Sequence, residues 1–154
     1  RAAAVLFIPL LVVQLVHYWG GDEQELAQML EVKTNPGMTT SLTLSDGTVV
    51  FLNSESRLTY PSHFNGDTRN VTLQGEAYFE VTQDSLRPFL VEFEGACVKV
   101  LGTQFNVRAY PTGPSFTTLV SGCVKIVHKN QVLQLEPGQQ CEVREEKMLL
   151  HMRI

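Results

Sequence analysis

The sequence has 154 residues, of which 44% are apolar and only 18% carry a charge. This length suffices for one domain with its own core plus one short additional segment. The formal net charge of −4 gives no basic surface of the kind that binds nucleic acid, so direct contact with DNA or RNA is not expected.

The N-terminal segment is almost entirely apolar. Arg1 is followed by AAAVLFIPLLVVQLVHYW, and the run up to position 16 contains a single polar side chain. Because a bilayer core needs roughly 20 helical residues, residues 1–19 are predicted to form a transmembrane helix at the short end of the usable range. Tyr18 and Trp19 would lie at one membrane interface, and Arg1 on the cytoplasmic side. A cleaved signal peptide and a buried core helix are the alternatives left open.

Residues 20–39 are predicted to form a juxtamembrane amphipathic helix and a linker. Leu26, Met29 and Leu30 are spaced so that a helix would carry them on one face. The turn-forming sequence Asn-Pro-Gly at 35–37 ends this pattern. The segment would connect the membrane span to the rest of the chain.

From residue 40 onward, the apolar spacing becomes that of strands. Short runs rich in Val, Thr, Phe, Tyr and Leu are separated by turn sequences such as Ser-Asp-Gly at 45–47, Asn-Gly-Asp at 65–67 and Pro-Gly at 137–138. About a dozen such runs are typical of all-β proteins, so residues 40–154 are predicted to form one all-β domain. The sequence leaves open whether the strands stack as a solenoid or form a sandwich or barrel.

No arrangement of residues indicates catalysis, a metal or a cofactor. Cys97, Cys123 and Cys141 lie in separate apolar runs, which favours small buried thiols, although a disulfide between two of them is left open. The four histidines fall on separate elements without metal-ligand spacing. Glu76 and Glu80 share one face of a strand, where a solvated carboxylate is the usual case. We therefore expect no metal, no cofactor and no enzymatic activity.

Two stretches of the chain carry a more specific signal. LSDGTVVFLNSESRLTYPSHFNGDTRNVTLQGEAYFEVTQDSLRPFLVEF at 44–93 and VKVLGTQFNVRAY at 98–110, taken in this order, resemble the FecR family. The resemblance covers roughly residues 38–145. The residues that match the family motifs are Asp46, Gly47, Thr48, Leu52, Asn53, Tyr60, Pro61, Phe64, Gly66, Arg69, Gly75, Glu76, Phe79, Pro88, Phe89, Gly102, Thr103, Phe105 and Asn106.

This resemblance implies an anti-sigma factor with one span in the inner membrane of a Gram-negative bacterium. Its periplasmic β domain would receive a signal from the signalling domain of a TonB-dependent outer-membrane receptor. A cytoplasmic region before Arg1 would hold an extracytoplasmic-function sigma factor, and a small α/β segment would follow the β domain. Because the sequence begins with Arg1 rather than Met and ends after a strand-like run, we expect a fragment truncated at both ends.

Most of the motif residues are expected to be structural. Gly47 and Gly66 would supply positive φ in tight turns. The core aromatics on strands would be Phe51, Tyr78, Phe79, Phe89 and Phe105. The residues that bind a partner cannot be selected from the sequence, although a partner strand could add to an exposed sheet edge.

The charged motif residues allow two arrangements. Arg57, Arg69 and Arg87 would either pair with Glu76 and Glu80 or be solvated.

Two other functions compete with signal transduction. A carbohydrate-binding or structural β module of the cell envelope would carry a flat platform of exposed aromatic rings, for which Tyr60, Phe64 and Tyr110 are the candidates. A polysaccharide-cleaving β enzyme would need clustered Asp, His, Lys or Arg side chains, and the sequence offers no such cluster.

Overall fold

The structure is a computed structural model that describes residues 12–15 and 26–152. Residues 12–15 are helical. The rest of the predicted transmembrane helix, including Tyr18 and Trp19, lies outside the described residues. Within the described ranges, no helix combines the length and the apolar character that crossing a membrane requires.

Strands make up most of the chain from residue 29 to residue 152, which confirms the prediction of an all-β domain with about a dozen strands. The turns between them contain glycine, asparagine and proline, as expected from turn chemistry. The strands are β1 (Met29–Lys33), β2 (Thr40–Thr43), β3 (Val49–Leu52), β4 (Arg57–Pro61), β5 (Arg69–Glu80), β6 (Phe89–Phe93), β7 (Ala96–Val100), β8 (Gln104–Ala109), β9 (Ser115–Ser121), β10 (Val124–His128), β11 (Gln131–Leu135), β12 (Gln139–Arg144) and β13 (Lys147–Met152).

The twelve-residue strand β5 organises the fold. Its first half pairs with β4 and, in parallel, with β6, whereas its second half pairs with β3 and β8. The strand therefore belongs to two halves of one barrel-like sheet. Sheet A contains β1, β4, β5, β6, β7, β10 and β11, and sheet B contains β2, β3, β5, β8, β9, β12 and β13. Every second side chain of β5 points into the core between them.

Gly75 lies where β5 passes from sheet A to sheet B. Its φ is +101°, and a Cβ added there would lie 2.7 Å from the Cα of Ser56. Only glycine satisfies both conditions without strain. This motif glycine is therefore required by the change of sheet in mid-strand.

The core is built on aromatic residues of β5 and its neighbours. The rings of Phe79 and Phe105 are stacked with centroids 5.1 Å apart, and Phe89 meets Phe79 edge to face at 6.1 Å. Phe64 packs on Phe89 at 6.0 Å. The prediction of core aromatics is confirmed for Phe79, Phe89 and Phe105, which are fully buried. It is wrong for Phe51, which is 46% exposed, and for half-buried Tyr78, because both alternate to the outer face of sheet B.

After β5, the chain adds antiparallel hairpins alternately to the two sheets. The hairpin β6–β7 extends sheet A, β8–β9 extends sheet B, and β10–β11 and β12–β13 extend them again through the pairs β7–β10 and β9–β12. All strand pairs are antiparallel except β5–β6. Of the architectures left open by the sequence, the structure has the barrel-like one and not a solenoid, whose coils would pair equivalent strands in parallel.

The prediction of an amphipathic helix before residue 33 is wrong for the part that the structure describes. Met29–Lys33 is strand β1, which pairs with β4 along the edge of sheet A. Leu26, Met29 and Leu30 do not form a buried face, because they are 91%, 64% and 40% exposed. A helix of this length is marginal alone, whereas the open edge of β4 offers a complete set of backbone hydrogen bonds.

Candidate functional site

Two motif residues, Asp46 and Arg69, meet in a buried arginine cluster. Arg69 Nη1 donates to Asp46 Oδ2 at 2.7 Å, and their side chains are 0% and 6% exposed. Thr48 adds two hydrogen bonds to the same carboxylate, from its backbone N–H at 2.9 Å and from its hydroxyl at 2.7 Å. A buried ion pair is tolerated when such additional hydrogen bonds satisfy its remaining polar atoms.

Three further N–H donors of Arg69 bind backbone carbonyls. Nη1 also donates to the carbonyl of Thr82 at 2.9 Å, Nε to that of Arg87 at 2.8 Å, and Nη2 to that of Leu101 at 3.2 Å. The guanidinium lies 5.4 Å from the ring centroid of Phe89. One side chain thereby joins the loops that follow β2, β5 and β7. The arginine cluster is structural, because the Arg69 side chain is fully buried and out of reach of a partner.

Of the two arrangements left open for the arginines, pairing with Glu76 and Glu80 does not occur, and Arg69 is buried rather than solvated. Arg69 and Glu76 are an odd number of positions apart on β5, so they point to opposite faces of the strand. The observed partners are Glu31 for Arg57 at 3.7 Å, Asp46 for Arg69, and Asp84 for Arg87 at 3.0 Å.

The motif glycines serve different purposes. Gly47 has a φ of +87°, as predicted for its turn, but Gly66 is not in the positive-φ region, so that prediction is wrong. At Gly102 a Cβ would lie 2.7 Å from the Cα of Gln83. Close packing of two backbones therefore explains glycine at position 102.

Apart from Asn53, Glu76 and Asn106, the remaining motif residues contribute to packing or to hydrogen bonds that hold the fold. Leu52 and Phe64 are buried, and Tyr60 packs against the core from β4 beside Pro61. The hydroxyl of Thr103 donates to the carbonyl of Cys123 at 3.1 Å. The carbonyl of Pro88 accepts from the backbone N–H of Arg69 at 2.8 Å.

The three cysteines are free thiols, and they differ in exposure. Cys141 is buried and Cys97 half-buried, whereas Cys123 is exposed, contrary to the expectation that all three are buried. Burial raises the pKa of Cys141 to about 11 and also raises the pKa of Cys97. Neither thiol is therefore ionised near neutral pH, which makes both poor nucleophiles.

The second cluster of motif residues lies on the outer face of sheet B. Glu76 Oε2 accepts from Asn53 Nδ2 at 3.1 Å, and Oε1 accepts from Asn106 Nδ2 at 2.9 Å. The backbone N–H of Glu76 donates to Ser56 Oγ at 2.8 Å. Three motif residues from β5, β8 and the end of β3 thus fix one half-buried carboxylate in place.

Two adjoining depressions meet at Glu76, and we call them together the Glu76 groove. The larger has a volume of about 820 Å³ and the smaller about 420 Å³. The walls of the larger include Glu55, Arg108, Tyr110, Pro111, Pro114 and Phe116, and those of the smaller include Ser41, Phe51, Asn53, Tyr78 and Asn106.

Arg108 is the cationic residue of the Glu76 groove. It stands directly opposite Glu76 in the β5–β8 register, but its guanidinium lies over the ring of Tyr110, 5.9 Å from the centroid. The Tyr110 hydroxyl donates to the carbonyl of Ser54 at 2.9 Å, which fixes the ring. In residues 26–152, neither Glu76 nor Arg108 forms an ion pair.

The groove has the composition of a recognition surface. It offers a fixed carboxylate, a guanidinium and several aromatic rings, and arginine and aromatic side chains are enriched at protein–protein interfaces. Among the described residues, no group of three His, Cys, Asp or Glu side chains could hold a metal ion. Arg108 and Phe116 were not selected from the sequence, although strand alternation places both on outer faces. Tyr110 was predicted only as part of a sugar platform, and Phe51 only as a core aromatic.

The aromatic platform expected of a carbohydrate-binding module is not assembled. Phe64 is buried, with 9% of its surface exposed, and Tyr60 packs against the core. Tyr110 lies alone of the three in the Glu76 groove. The two rings that do share the groove's smaller depression, Phe51 and Tyr78, are tilted by 46° and are not coplanar.

Comparison with protein families and comparison with solved structures both find related proteins. The FecR protein family matches residues 31–125, and none of the curated proteins matches significantly. Two crystal structures, at 2.50 Å and 1.65 Å resolution, show a protein of Parabacteroides distasonis ATCC 8503 that has been assigned as an anti-sigma factor. Both are 36% identical to this chain, with TM-scores of 0.79 and 0.78.

The similarity spans most of this chain but not the whole of those proteins. The alignments cover 82% and 80% of this chain, and 61% and 60% of the two crystallised chains. The matched region includes both the arginine cluster and the Glu76 groove. The chain belongs to the FecR family.

Proposed function

We propose that this protein is an anti-sigma factor that transmits a signal across the inner membrane. Its β domain would lie in the periplasm and receive the signal from the signalling domain of a TonB-dependent outer-membrane receptor. The cytoplasmic part of the protein would control an extracytoplasmic-function sigma factor. Family membership over residues 31–125, together with the likeness to the Parabacteroides distasonis protein, is the observation that carries this proposal.

The chemistry of the described residues fits transmission by contact. Burial raises the pKa values of Cys97 and Cys141, and the Glu76 carboxylate on the outer face of sheet B accepts hydrogen bonds from two asparagine amides. We therefore propose that the protein binds partners and does not catalyse a reaction. The apolar segment 2–19 would anchor it in the membrane.

Purification of the protein from membranes of its native host tests this function. The protein would be tagged, extracted in mild detergent and analysed with its bound partners by mass spectrometry. We expect recovery of one sigma factor and of a TonB-dependent receptor. Deletion of the gene should change transcription of the genes that this sigma factor controls.

Two results would contradict the proposal. One is recovery of the folded protein without any sigma factor, combined with unchanged transcription after deletion. The other is recovery of envelope polysaccharide in place of a receptor, which would support a carbohydrate-binding module.

A further inference from the structure

The outer face of sheet B contains two opposite charges that do not form an ion pair with each other. Glu76 and Arg108 are direct neighbours across β5 and β8. Opposite charges in this position usually attract and contribute to sheet stability. Here the carboxylate is held by Asn53 and Asn106, and the guanidinium lies over Tyr110. The local contacts therefore keep two charged groups apart.

The carboxylate of Glu76 has unused capacity for hydrogen bonds. Each oxygen accepts one hydrogen bond from an asparagine amide, whereas an ionised carboxylate has about four acceptor sites. Both depressions of the Glu76 groove reach this residue. A charged donor that enters the groove would form a short, strong hydrogen bond with an acceptor that is already in position.

Apolar surface lies beside both charges. Phe51 is 46% exposed in the smaller depression, where its ring centroid is 6.2 Å from that of Tyr78. Phe116 and Pro111 line the larger depression beside Arg108. Aromatic side chains are enriched in the buried centre of protein interfaces.

We propose that the Glu76 groove is the docking surface for a partner protein that places a basic side chain on Glu76 and an acidic side chain on Arg108. This inference rests on the proposed function, in which that partner is the signalling domain of the receptor. The complementary pair of charges favours a protein over a neutral sugar, which would also require coplanar rings. The tilt of 46° between Phe51 and Tyr78 does not provide them.

Site-specific photocrosslinking in the native host tests the docking surface. A photoreactive phenylalanine analogue would replace Phe51 or Phe116 in the full-length protein. The control position is Leu90, which lies half-buried on the outer face of sheet A. We expect Phe51 and Phe116, but not Leu90, to crosslink to the receptor, within a peptide that contains both an acidic and a basic side chain.

Two charge variants test the proposed contacts. Glu76→Gln and Arg108→Ala should each lower the crosslink yield about tenfold, because each removes a charge-assisted hydrogen bond. Glu92→Gln and Arg57→Ala are matched controls, since they make the same kinds of change on sheet A and should leave the yield unchanged. Arg108 is exposed, so Arg108→Ala should leave the fold intact. This variant therefore tests binding even if Glu76→Gln destabilises the domain.

The outcomes separate this inference from the proposed function. A transcriptional response to the inducing signal that is unchanged in both charge variants would overturn the docking surface and leave the signalling function intact. Equal crosslinking at Leu90, or crosslinking of the groove to polysaccharide, would also overturn it. If deletion of the gene abolishes the response but neither charge variant changes it, the docking surface lies elsewhere on the protein.

Discussion

The arginine cluster and the Glu76 groove are built from the same strand but serve different purposes. Arg69 points inward from β5, and Glu76 points outward seven positions later. The guanidinium of Arg69 is fully buried, with bonds to one carboxylate and three carbonyls. The carboxylate of Glu76 is half-buried and keeps free acceptor sites. Strand alternation therefore places one motif residue in the core and another on the outer face, where we propose that a partner binds.

The largest effect should come from breaking the arginine cluster. Arg69→Met leaves Asp46 charged and uncompensated among buried groups, and three carbonyls lose their donor. We expect a loss of about 3–5 kcal/mol in the free energy of unfolding. Urea denaturation of the purified protein measures it.

A second substitution provides the control for this prediction. Asp46→Asn added to Arg69→Met removes the unpaired charge, so the double variant should be less destabilised than Arg69→Met alone. If Arg69→Met unfolds at the same urea concentration as the wild type, the arginine cluster is not the structural element described here.

The next effect concerns the glycine between the two regions. Gly75→Ala forces a side chain onto Ser56 at a positive φ, and we expect a loss of about 2–3 kcal/mol. Gly37→Ala is the matched control, because Gly37 also has a positive φ, of +75°, but nothing lies within 4 Å of an added Cβ. It should lose only about 1 kcal/mol. Equal losses in thermal or urea denaturation would show that the contact with Ser56 is not limiting.

A substitution in the Glu76 groove should reduce partner binding more than stability, unlike a substitution in the arginine cluster. Glu76→Gln keeps the shape of the side chain and one acceptor for the asparagines, so we expect a loss of about 1 kcal/mol in stability. Its effect on partner binding should be the larger one. A loss of stability as large as that of Arg69→Met, without any effect on binding, would make Glu76 a structural residue as well.

The smallest effect should appear at a third carboxylate, on β12. Hydrogen bonds from Arg144 and His151 lower the pKa of Glu142 below its ordinary value. A lowered pKa in the folded state stabilises the protein above the ordinary glutamate pKa of about 4.3, and this contribution is lost as the pH falls through the folded-state value.

The comparison of wild type with Glu142→Gln measures this contribution. The wild type should unfold at a higher urea concentration than the variant at pH 7, and the difference should shrink below pH 4. A difference that is independent of pH would show that the carboxylate charge does not contribute.

Several features of the fold could be predicted because their causes are local. Alternating apolar residues and turn sequences determine strands, and they identified the all-β domain. Phe79, Phe89 and Phe105 lie at buried strand positions, as their spacing indicated. The positive φ of Gly47 follows from its tight turn.

Other features could not be predicted because they depend on which strands become neighbours. The segment Met29–Lys33 has helical spacing, but the edge of β4 captures it as a strand. Asp46 and Arg69 are 23 positions apart, and Asn53 and Asn106 reach Glu76 from opposite sides along the chain.

The sequence by itself determined that this chain is an all-β member of the FecR family. Strand spacing, turn sequences and the order of motifs are properties of the linear sequence and need no knowledge of which strands pair. Only the tertiary structure decided that buried Arg69 connects three loops, and that Glu76 lies in an open groove opposite Arg108. These assignments require the pairing of β5 with β3 and β8, and such long-range pairing has no local signal in the sequence.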